Sequence, residues 1–225
     1  NTTGNLTFHS IQKYDFFQIS STKLVDYKLK IGVENSHEES LIFLLWNIFL
    51  QTNTELNFDS LDFREGQLAI IVNALSRKDT LGLLPTGSGK SVCFQLASIL
   101  QPAISFVVCP IKSLMYDQKS DLDLSLFSRT NLLSSDDDGE DREKTLSEFG
   151  AGKYFFIYIT PERFQIQTFR DYLISVNKNF NIAYAVIDEV HCLSEWGHDF
   201  RTSYLTLADT IDKYCSNFSY IGLTA

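Results

Sequence analysis

"LLPTGSGKS", Leu83 to Ser91, decides how this chain is read. A β-type run, "TLGLLP", leads into it, and a stretch with helical character starts near Lys90. Glycines at 87 and 89 allow consecutive backbone N–H groups to turn inward around an anion, and a helix starting at Lys90 aims its positive end at the same point. Lys90 adds a full charge for the outer phosphates, and the Ser91 hydroxyl suits a hard divalent cation. Pro85, Thr86 and Ser88 complete the loop. The strict spacing G-x-x-x-x-G-K-[ST] is not met, because Leu84 stands where its first glycine would be. What carries the reading is the placement between strand and helix.

Working outward, the rhythm after residue 60 alternates helix with strand. "FREGQLAIIVNALSRKD" has Leu68, Ile71, Val72 and Leu75 at helical spacing. Continuous apolar runs follow at "AISFVVCP", "KYFFIYIT", "IAYAVID" and "SYIGLTA". Runs without alternation belong in a sheet covered on both sides, so residues 56–225 are expected to form an α/β domain, a parallel β-sheet with helices on both faces. "SSDDDGEDREK", Ser134 to Lys144, puts acids at the start of a helix, where they suit its dipole, and reads as a solvated loop rather than a metal site.

Residues 1–55 read differently. "LTFHSIQ", "YDFFQIS" and "VDYKLKIGV" alternate loosely like short strands, and "SHEESLIFLLWNIFLQ" opens with Ser36 and Glu39 at capping-box spacing before a buried helix. A small α+β appendage, or the tail of a preceding domain, is expected there.

Composition narrows the function classes. With 225 residues, 44% hydrophobic and 21% charged, the chain can bury a full core. Its longest apolar stretch, Leu41 to Trp46 extended through Leu50, falls short of the roughly 20 residues that span a bilayer, so no membrane partner is expected. Four cysteines without a C-x-x-C pair argue against a zinc module and a disulfide framework. A cytoplasmic setting is expected, nucleoid-associated in a bacterium. A net charge of −9 disfavours coating nucleic acid by bulk electrostatics, so any such contact has to be local.

A phosphate chain with a metal needs a carboxylate at the tip of a neighbouring strand, and "AYAVIDEVH" supplies it. Asp188 follows an apolar strand and should emerge at the sheet's carboxyl edge to hold the metal, while Glu189 orients or deprotonates a water. Phosphate loop, metal carboxylate and water-orienting acid together describe a nucleoside triphosphatase, with Lys90, Asp188 and Glu189 as catalytic residues.

From about Phe58 to Ala225 the chain resembles the first RecA-like domain of a superfamily 2 helicase of the RecQ type. "LLPTGSGKS" is similar to that family's phosphate loop, in which the first glycine is absent, and "DEVH" is similar to its DEAH or DExH box. "FREGQ" resembles the adenine-recognition element. The resemblance implies that Gln67 reads the adenine edge with Arg64 beside it, hence ATP with Mg²⁺ as cofactors. Ser60 stands where the family places a stacking aromatic, with Phe58 nearby. "VVCPIKSLMYDQ" and "YITPERF" resemble the motifs that touch the nucleic-acid backbone, implying Lys112, Ser113, Thr160 and Arg163.

"HCLSEWGHDFR", His191 to Arg201, resembles the aromatic-rich loop of RecQ helicases. Trp196 and Phe200 offer faces for unpaired bases, worth roughly 1–3 kcal/mol per base. His198 belongs to the same loop, Arg201 senses phosphate or braces it, and His191 relays to Thr224 in "GLTA", which is similar to the motif linking ATP state to strand separation. Single-stranded or tailed duplex DNA is the implied partner, in repair or recombination, together with a second RecA-like domain of the same polypeptide bearing arginine fingers. The chain alone would then bind Mg-ATP weakly and turn it over slowly. A DNA translocase or remodeller, and an ATP-gated regulatory module, are the competing readings.

Overall fold

The computed structural model describes residues 63–101, 103–124, 129–134, 139–192 and 203–225. The appendage expected over residues 1–55 lies outside them. The chain runs α1 (Gln67–Leu75), β1 (Thr80–Leu83), α2 (Lys90–Ile99), β2 (Ile104–Val108), α3 (Lys112–Leu124), β3 (Thr130–Leu133), α4 (Gly139–Gly150), β4 (Phe156–Ile159), a 3-10 turn (Pro161–Gln165), α5 (Gln167–Asn179), β5 (Ile182–Ile187), α6 (Leu207–Tyr214) and β6 (Ser219–Thr224). The strands form one parallel sheet in the order β1-β6-β5-β2-β4-β3.

Central strands β2, β5 and β4 are buried at every residue, as their unbroken apolar sequences require. β1, which pairs only with β6 among the described residues, alternates instead, with Leu81 and Leu83 exposed. Two aromatic groups show that helices cover both faces. Phe94 of α2 meets Phe156 and Tyr158 at centroid distances of 6.0 and 6.4 Å. Phe106 meets Phe164 of the 3-10 turn at 5.5 Å, and Phe164 meets Phe169 of α5 at 5.1 Å. Because Ser105 is the residue in register with Phe156, Phe106 points to the opposite side of the sheet.

Helix α1 forms where the periodicity places it, but its stripe is turned. Gln67, Ile70, Ile71, Ala74 and Leu75 are buried, while Leu68 and Val72 are half-buried flanks. The shift brings Ile70 over Gly82, where the Leu223 side chain also packs. Helix α4 carries Glu140 and Asp141 in its first turn, where acids suit the dipole.

Register places the site. Leu83 pairs with Thr224, Ile187 with Gly222, and Val108 with Ile187. The carboxyl ends of β1, β6, β5 and β2 therefore lie side by side, the edge where open α/β sheets hold their ligands.

Candidate nucleotide-binding site

The loop leaves β1 tied to the far end of the domain, since the Leu84 N–H donates to the Thr224 carbonyl at 3.0 Å. The Ser88 N–H then closes a turn on the Pro85 carbonyl at 3.1 Å. Gly87 and Gly89 both sit at φ 77°, a left-handed conformation that a side chain strains to adopt. A Cβ built on Gly87 meets nothing within 4 Å, so the loop is open on that side, whereas one on Gly89 falls 2.8 Å from Gln67 Nε2. Lys90 is the first residue of the ten-residue α2, so the helix's positive end faces the loop.

Gln67 is 4% exposed and its side chain is bound into this loop. Nε2 donates to the carbonyls of Ser88 at 2.8 Å and Gly89 at 3.1 Å, and Oε1 accepts the Arg64 N–H at 2.9 Å. The Arg64 guanidinium donates to the Gly87 carbonyl. The structure thus gathers Arg64 and Gln67 onto the phosphate loop, with the amide of Gln67 engaged by backbone.

Across the sheet edge stands Asp188, buried at 3% exposure. Its Oδ1 accepts the Glu189 N–H at 3.0 Å, and its Oδ2 accepts Gln118 Nε2 at 3.1 Å, with Cys109 Sγ at 3.9 Å. Burial pushes its carboxyl above the ordinary range; the Gln118 hydrogen bond opposes that and the neighbouring Glu189 charge adds to it. Such a carboxylate is stabilised by a cation. The same surroundings raise the Cys109 thiol well above its usual value.

Glu189 has φ 51°, left-handed for a residue with a side chain, held by the Val190 N–H bond to the Leu223 carbonyl at 2.8 Å. Its Oε1 lies 3.3 Å from Lys90 Nζ, with side chains 22% and 12% exposed. Its Oε2 lies 3.3 Å from His191 Nδ1, which in turn lies 2.7 Å from Thr224 Oγ1. A line of contacts therefore joins the phosphate loop, the DEVH turn and the last strand: Lys90, Glu189, His191, Thr224.

The residues read as nucleic-acid contacts divide. Lys112 is half-buried and Ser113 exposed at the start of α3. Thr160 and Arg163 are buried at 3% and 6%, and the Arg163 guanidinium donates to the Ser134 carbonyl. Arg163 therefore supports the exit of β3 from inside the fold. Trp196, His198, Phe200 and Arg201 lie outside the described residues.

Sequence reading missed Gln118 and Cys109 as partners of Asp188. The available signal was helical spacing: Met115, Gln118 and Leu122 fall on one buried stripe of α3.

The family model of DEAD/DEAH box helicases matches residues 64–225, from the arginine at the phosphate loop to the last residue. The chain belongs to the DEAD/DEAH box helicases. The DEVH stretch, Asp188 to His191, lies within the matched residues, and the contacts from Lys90 to Thr224 run through it. Among curated proteins this helicase domain is similar to RecQ-like DNA helicase blm-1 of Caenorhabditis elegans, 34% identical over 196 residues, covering 85% of this chain and 20% of that protein. It is also similar to the probable ATP-dependent DNA helicase RecS of Bacillus subtilis, 39% identical over 168 residues, 75% of this chain and 32% of the relative. The chain spans only about a fifth to a third of those proteins. Solved structures share the fold: the DUF1998 helicase MrfA bound to DNA and AMPPNP has a TM-score of 0.59 at 17% identity, covering 96% of this chain and 30% of that one. A hypothetical ATP-dependent RNA helicase from Sulfolobus tokodaii has a TM-score of 0.58 at 17% identity, covering 83% and 50%.

Proposed function

We propose that this chain is the ATP-binding half of a RecQ-type DNA helicase motor. The observation that carries the reading is the convergence of Lys90, Asp188 and Glu189 at the carboxyl ends of β1 and β5, beside a loop open at Gly87. The donors fit Mg-ATP: the Ser91 hydroxyl and Asp188 carboxylate are hard oxygens, and Mg²⁺ takes few protein ligands when phosphates supply others. Bound there, Mg²⁺ would neutralise the charge that develops on the phosphates.

The chain's own residues do the rest. Loop N–H groups and Lys90 bind the phosphates, for which Lys90 leaves Glu189. Glu189, released, orients and deprotonates the attacking water. His191 and Thr224 carry the position of Glu189 to the end of β6. Arg64 and Gln67 join the adenine side of the site to the loop.

DNA is the proposed polymer because relatives at 34–39% identity are named as DNA helicases. Trp196 and Phe200 supply stacking faces for single-stranded DNA, with His198 and Arg201 in the same loop, and Lys112 and Ser113 meet the backbone. A second RecA-like domain of the same polypeptide supplies arginine fingers, residues 1–55 are an N-terminal appendage or the tail of a preceding domain, and the protein works in the cytoplasm.

The test is ATP hydrolysis by the intact protein with and without single-stranded DNA, alongside Trp196→Ala. Strong stimulation that disappears in the variant is expected. Hydrolysis indifferent to DNA would overturn the reading.

A further inference from the structure

Asp188 is held from two sides, and only one of them is local. The Glu189 N–H on Oδ1 comes with the turn itself, whereas the donor on Oδ2 is the Gln118 amide, 70 residues away in sequence. Among the described residues Gln118 is the one nitrogen donor that another element contributes to this carboxylate; Cys109, at 3.9 Å, is a weak partner. A carboxylate tied at one oxygen can pivot about its χ angles. Tied at both, its plane is set.

Gln118 is itself placed firmly. It is 8% exposed and sits on the buried stripe of α3 between Met115, at 0%, and Leu122, at 1%. Its Oε1 is buried and has no hydrogen-bond partner among the described residues, so the amide's orientation is decided by its one bond to Asp188. A buried amide left half-satisfied costs stability that an apolar side chain of the same length would avoid. The bond to Asp188 gives its presence a reason that packing does not.

The same helix begins at Lys112, with Ser113 exposed beside it. Gln118 lies six positions along the helix from Lys112, about 9 Å along the axis. One helix thus links the exposed position of Ser113 to the Gln118 bond on Oδ2 of Asp188.

We propose that Gln118 is a positioning residue that sets the plane of the Asp188 carboxylate and makes α3 the connector between nucleic-acid backbone contact and the metal-holding group. This rests on the function proposed above. Partners that orient metal-ligating groups typically govern metal affinity by about 10–100-fold.

Gln118→Met keeps length and burial and removes the donor. Gln118→Asn keeps an amide but withdraws it by one methylene, and serves if the first variant folds poorly. The measurement is equilibrium binding of a fluorescent ATP analogue to the intact protein, titrated with Mg²⁺, with and without single-stranded DNA. In both variants the Mg²⁺ midpoint should rise about tenfold, while affinity in EDTA stays at the wild-type value, a separation that general loosening of the fold would not produce. Single-stranded DNA should lower the wild-type midpoint and leave that of Gln118→Met unmoved. An unchanged Mg²⁺ midpoint in a folded variant overturns the positioning role, and a DNA effect retained by Gln118→Met overturns the connector. Wild-type binding indifferent to Mg²⁺ would overturn the nucleotide-site reading and this proposal with it.

Discussion

Replacing Glu189 by Gln should tighten nucleotide binding while stopping its hydrolysis, and the structure sets the size of the first effect. Lys90 Nζ lies 3.3 Å from Glu189 Oε1, with side chains only 12% and 22% exposed. At that distance and an effective dielectric near 20 the gross attraction is about 5 kcal/mol. Desolvating both groups offsets most of it, leaving a net on the order of 1 kcal/mol. Phosphates must take Lys90 from Glu189, so removing the carboxylate charge returns that net to binding, about a fivefold lower Kd. Loss of repulsion between Glu189 and the phosphates acts in the same direction. The assay is equilibrium titration of a fluorescent ATP analogue with Mg²⁺ at two ionic strengths, paired with steady-state hydrolysis. The gain should shrink as salt rises, and kcat should fall by roughly 10²–10⁴, the usual contribution of a general base. Binding that is unchanged or weaker, or a kcat within tenfold of wild type, would refute the reasoning.

Two further predictions test the fold. A Cβ at Gly82 would lie 2.4 Å from Ile70 Cδ1 and 2.8 Å from Leu223 Cδ2, so Gly82→Ala should destabilise by about 1–3 kcal/mol in denaturant unfolding, and adding Ile70→Val should recover part of the loss; strict additivity would exclude this clash. Tyr154 donates to Glu148 and holds its carboxyl below the ordinary 4.5, so the pair's contribution is complete above that pH and is lost as pH falls through the lowered value. Tyr154→Phe should therefore narrow the gap in Tm from wild type as pH drops below about 4.5, and parallel Tm curves would count against the pairing.

Local pattern in the sequence determined a good deal of this protein. Unbroken apolar runs such as "IAYAVI" suit a strand covered on both faces, because alternate residues point to opposite sides of the sheet and both sides are then mainly apolar. Glycines at 87 and 89, Lys90 at a helix start and the Asp188–Glu189 pair after a strand marked out the loop and strand end that the structure brings together, since each acts through backbone geometry or charge within a few residues of itself. Tertiary structure alone decided the order β1-β6-β5-β2-β4-β3, because a run's apolarity says that it is buried and not beside which strand. It also decided which polar side chains turn inward. Arg163 reads as a surface charge until the Ser134 carbonyl claims it, and Gln118 reads as part of a backbone-contact motif until α3 packs its buried stripe beneath Asp188. In each case the partner lies tens of residues away, and a hydrogen bond across that separation exists only once the sheet has brought its strand ends together.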